Sequence, residues 1–102
     1  MTLAETFQAQ AMAQAQTAML AHGCPTKRLF QNLQSYGGVE TAKELARRHR
    51  LSDGFDALVN CGQTKLTLEA LAVQKKFGSL FTDEEINWFL EVLVGAGYYE
   101  KE

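Results

Sequence analysis

Apolar positions recur along the chain at spacings of three and four, the signature of helices that each bury one stripe. Leu29, Phe30, Leu33 and Tyr36 form one stripe, and Val39, Ala42, Leu45 and Ala46 a second. Phe55, Leu58 and Val59 form a third, Leu68, Leu71 and Ala72 a fourth, and Ile86, Phe89, Leu90 and Leu93 a fifth. Helix signals divide them. Gly37-Gly38 closes the first, because glycine takes the left-handed cap at no steric cost. Ser52 reads as the N-cap of a helix that ends at Gly62, and Thr67 as the N-cap of a short one. The segment 75-KKFGSLF-81 reads as a connector. Thr82 and Glu85 have capping-box spacing, with Asp83 and Glu84 placed where the helix dipole favours acid.

The first quarter of the chain follows another pattern. Thr2 and Glu5 have capping-box spacing, so a helix is predicted from Leu3 to about Ala21, stopping at 22-HGCP-25. Its middle, 8-QAQAMAQAQ-16, alternates in twos as a strand would, but Ala, Gln and Met favour helix. Its apolar face is thin: Leu3, Phe7, Ala11 and Ala18. Such a helix is expected either to dock loosely or to need a partner, and pairing with a second copy would supply one. The predicted fold is all-α: a compact orthogonal bundle of about five short helices over residues 25–102, preceded by a longer Gln/Ala-rich helix over residues 1–24. Short connections should place consecutive helices side by side.

Composition narrows the class. A chain of 102 residues, 46% apolar and 22% charged, is one ordinary globular domain. No apolar run approaches the roughly 20 residues of a membrane span. The N-terminus lacks the basic start and apolar core of a signal peptide, so the cytoplasm is the expected location. The net charge of −2 hides an asymmetry: residues 1–51 are net basic and residues 52–102 net acidic. Such a division can mark an interaction surface.

The stretch 44-ELARRHRLSDGFDAL-58 has the look of a helix-turn-helix. The pair 45-LA-46 and the turn 51-LS-52 fit. The position where a glycine is customary holds Arg50, and the would-be reading helix opens 53-DGFD-56. Two carboxylates there would face phosphates, whose attraction to basic groups supplies most non-specific affinity. That helix offers only Asn60 for bases, which are read mostly by Arg, Lys, Asn or Gln. Arg47, Arg48 and Arg50 could touch phosphate alone. DNA binding through residues 44–60 is therefore one alternative reading, and a self-assembling structural module, with the first helix pairing between copies, is another.

The series 36-YGGVETAKEL-45, 52-SDGFDAL-58, 66-LTLEALAV-73, 80-LFTDEEI-86 and 97-GYY-99 resembles a widespread bacterial helical domain of unknown function, found in genomes rich in mobile elements. The resemblance covers roughly residues 29–99. The N-terminal helix and 60-NCGQTK-65 depart from it. It assigns no catalytic residue. It implies a small accessory module of phage or mobile-element origin, of the kind that binds and inhibits or regulates a host enzyme, defence nucleases included.

Candidate chemistry is sparse. His22, Cys24, His49 and Cys61 lack the paired spacing of a zinc site, so no metal and no cofactor are expected. Cys61 reads as a small buried hydrophobe and Cys24 as a loop thiol, both reduced. Gly37-Gly38 lacks the lysine of a phosphate-binding loop. The carboxylate pairs fall in first turns, where capping accounts for them, so no catalytic residue is assigned and no enzyme is expected. Trp88, Tyr98 and Tyr99 are either core rim or interface anchors. The reading that results is a protein-binding module with a basic partner. Asp53, Asp56, Asp83, Glu84, Glu85, Trp88, Tyr98 and Tyr99 are its candidate contacts.

Overall fold

Aromatic edges meet where the N-terminal helix crosses the rest of the chain. The computed structural model describes residues 2–98, and these form six α-helices and two short 3-10 segments. The helices are α1 (Leu3–His22), α2 (Lys27–Tyr36), α3 (Gly38–Arg47), α4 (Phe55–Asn60), α5 (Leu68–Ala72) and α6 (Asp83–Gly95). The 3-10 segments are Thr64–Leu66, before α5, and Lys75–Leu80, before α6. The all-α class read from the pattern holds. A radius of gyration of 12.4 Å matches the ~13 Å of a compact folded chain of this length. No helix among the described residues is long and apolar enough to cross a membrane.

The thin face of α1 is no loose dock. Phe7, Ala11, Ala15 and Ala18 are all buried within the fold. Phe7 sets its edge against Phe77 at 5.1 Å and Phe81 at 5.3 Å, and Phe81 meets Phe89 at 6.0 Å. Edge-to-face rings of this kind stabilise a core beyond the area they bury. The alanines let neighbours come close instead of adding bulk. A Cβ on Gly38 would lie 2.9 Å from Phe7 and 3.2 Å from the Gln8 backbone, so α3 begins in contact with α1. The Thr26 hydroxyl donates to the Ala15 carbonyl at 2.7 Å and ties the start of α2 to the same helix. Leu3, expected inward, stands at the exposed end of the stripe.

Both capping boxes form. Thr2 and Glu5 exchange hydrogen bonds of 2.9 and 3.1 Å, and Thr82 and Glu85 exchange bonds of 2.8 and 3.2 Å. Thr67 caps α5 through the Ala70 amide. Ser52 does not cap α4. The helix begins three residues later behind Gly54, and Ser52 turns to the buried Glu69. Helix α3 stops at Arg47, and His49 beyond it takes a left-handed φ of 52°. Tyr36, read as part of a buried stripe, is 70% exposed.

Candidate interaction surface

Helix α6 presents two faces. Phe89 and Leu93 point into the core, with Ile86, Trp88 and Val92 at its margins. Leu90, expected in the buried stripe, is 36% exposed, and Val94 is 40% exposed. At four-residue spacing they share one side of the helix. Asp83, Glu84, Asn87 and Glu91 are exposed on the same outer half. The outer face is thus acidic and partly aliphatic.

Among the described residues, Asp53, Asp56, Asp83, Glu84 and Glu91 make no ion pair. Glu85 differs from its neighbours. It bonds the Thr82 amide and sits 3.0 Å from the Lys43 ammonium, joining α6 to α3. Partial burial pushes its carboxyl up, but the Thr82 amide and Lys43 outweigh this and hold it below the ordinary value. Its role is structural.

The candidate acids do not form one patch. Asp56 shares a groove with Leu51, Val59, Glu91 and Gly95, towards the C-terminal end of α6. Asp83 opens the same helix, and twelve residues at 1.5 Å rise separate the ends by about 18 Å. Asp53 lines one groove with Asp56 and another with Pro25, Lys27 and Arg28. The sequence groups these acids by sign; the fold spreads them along a line, from Asp83 and Glu84 at the start of α6, through Glu91 and Asp56 near its end, to Asp53 beside the start of α2.

Trp88 is half-buried and stacks on His49, with ring centroids 4.6 Å apart and planes 18° from parallel. Its indole Nε1 is buried without a hydrogen-bond partner among the described residues. The ring belongs to the core rim and closes the turn after α3. Tyr98 follows the C-terminal end of α6 and is exposed. Tyr99 lies outside the described residues.

The helix-turn-helix expectation meets a different geometry. Residues 48–54 separate α3 from α4, longer than the usual three- or four-residue turn. Helix α4 has six residues, about 9 Å of rise, too short to lie along a groove as a reading helix. Arg47 and Arg48 both pair with Glu44, while Arg50 stands exposed in the turn.

Glu69 was not visible as special in the sequence. It is 0% exposed, and both carboxyl oxygens engage Ser52: the amide at 2.8 Å and the hydroxyl at 2.6 Å. Burial pushes its carboxyl above the ordinary value, and the Ser52 bonds oppose the shift only in part. The only signal available was an acid amid the apolar run 66-LTLEALAV-73. Among the described residues no group of three or more His, Cys, Asp or Glu could hold a metal ion. Compared with family models, curated proteins and solved structures, the chain finds no match.

Proposed function

We propose that this protein is a non-enzymatic interaction module that docks the outer face of α6 on a basic surface of another protein. The observation that carries this reading is the strip of Asp83, Glu84 and Glu91. Its charges have no ion-pair partner among the described residues, and Leu90 and Val94 lie exposed alongside them. Unneutralised carboxylates steer association with a basic partner, and the aliphatic groups add apolar area to bury on contact. Enzymes that act on nucleic acids have surfaces of the required sign. An acidic helix can occupy such a surface in place of phosphates. The resemblance to a mobile-element domain points the same way, towards a protein that blocks or regulates a host enzyme of this class.

The test is capture of the partner from native-host lysate after nuclease treatment, with wild type and an Asp83→Lys/Glu84→Lys/Glu91→Lys variant side by side. Glu85 is left intact because its bonds hold α6 to α3. The reading predicts one stoichiometric protein on the wild type, released by salt, and its loss from the variant. Equal capture by both, or loss of everything on nuclease treatment, refutes it.

A further inference from the structure

The two cysteines exchange the roles expected of them. Cys24 is buried, packed with Ala18 and Leu58, while Cys61 is exposed at the end of α4. Their sulfurs lie 4.0 Å apart although 37 residues separate them in sequence. Each thiol reaches a backbone carbonyl, Cys24 that of His22 and Cys61 that of Leu58. Each cysteine also lies beside a chain reversal. Gly23 precedes Cys24 and Gly62 follows Cys61, both with positive φ. Neither thiol therefore sits inside a helix, and local rotation can close the ~2 Å between contact and a bond of about 2.05 Å.

We propose that Cys61 and Cys24 form a thiol–disulfide exchange site whose substrate is a low-molecular-weight disulfide, and whose product is a bond joining the α1–α2 loop to the end of α4. Exposure makes Cys61 the attacking group. Its thiolate bonds to one sulfur of the small disulfide, whose S–S bond breaks. One small thiolate leaves and takes a proton from water. Cys24 then loses its proton to solvent and attacks the Cys61 sulfur of the mixed disulfide, expelling the second small thiolate. The protein dithiol is oxidised by two electrons and the small disulfide is reduced to two thiols. Burial, then the neighbouring Cys61, pushes the Cys24 thiol up, which fits the order of attack. The bond closes a long loop, so it should stabilise the fold chiefly by restricting the unfolded chain.

The experiment uses the full chain and oxidised glutathione, followed by intact-mass spectrometry with peptide mapping and by thermal unfolding. Wild type should lose two hydrogens, carry no lasting adduct and map to a Cys24–Cys61 link. Its Tm should rise by about 10 °C or more and fall back on reduction. Cys24→Ala should stop at a glutathione adduct on Cys61, and Cys61→Ser should give neither product. A stable adduct on wild type, an intermolecular disulfide, or unchanged mass at excess oxidant overturns the proposal. The wild-type masses decide it even if Cys24→Ala folds poorly.

Discussion

Glu69 allows the sharpest stability test, because a carboxyl with no exposure must sit in one protonation state or the other at some cost. Burial raises its folded-state pKa, while the unfolded chain titrates near the ordinary value of 4.5. Above that pH the folded protein binds more protons than the unfolded chain. The contribution is therefore complete below about pH 4.5 and is lost as pH rises through the folded-state pKa, by ~1.4 kcal/mol for each unit of separation. Glu69→Gln copies the neutral carboxyl. Its carbonyl can accept from the Ser52 amide, now 2.8 Å from the carboxyl, and its NH2 can donate to the Ser52 hydroxyl, now at 2.6 Å. Glu69→Ala instead leaves two buried Ser52 groups unpaired and opens a cavity, a loss of about 2–5 kcal/mol. Urea unfolding from about pH 4.5 to about pH 8, followed by Trp88 fluorescence, separates the cases. Wild type should weaken with rising pH and Glu69→Gln should not, so the variant is at least as stable near pH 8. If Glu69→Gln is as damaged as Glu69→Ala near pH 8, the ionised carboxylate is what holds Ser52, and the reasoning fails.

Other substitutions report on separate features. Phe7→Ala removes the ring that meets Phe77 and Phe81 and should cost about 3–5 kcal/mol by denaturant unfolding. Thr82→Ala opens the α6 capping box and should cost ~1 kcal/mol, lowering Tm by about 4–8 °C in calorimetry. At His49, whose φ is 52°, Gly should be more stable than Ala by about 1 kcal/mol, although both lose the stack on Trp88. Equal stability of the two would remove the left-handed backbone from the account.

Local signals in the sequence were read well where they are self-contained. Both capping boxes need only a hydroxyl and an acid three residues apart, and both formed as expected. Features that depend on distant partners were not legible. Ser52 is a good N-cap in isolation, but a buried acid 17 residues away engages its amide and hydroxyl, so α4 starts behind Gly54. The apolar face of α1 looks thin because period alone does not reveal that Gly38 and Phe77 close on Phe7, or that Thr26 bonds the Ala15 carbonyl. Local context does not reveal that the α1–α2 loop packs Cys24 against Ala18 and Leu58 while Cys61 stays exposed. For the site, charge sign was readable but position was not. The strip on α6 needed knowledge of which residues its inward face uses, and Leu90 fell on the wrong side of that division.

The most direct test of the acidic face is a site-resolved crosslink. A photo-reactive residue at Asn87, amid the α6 strip, is compared with one at Gln31, exposed on α2, which packs on α1 and α3. Irradiation is carried out in nuclease-treated native-host lysate. The account predicts one protein crosslinked from Asn87, absent from Gln31, and lost when Asp83, Glu84 and Glu91 are reversed to Lys. Adducts from both positions, from Gln31 alone, or from neither would contradict it.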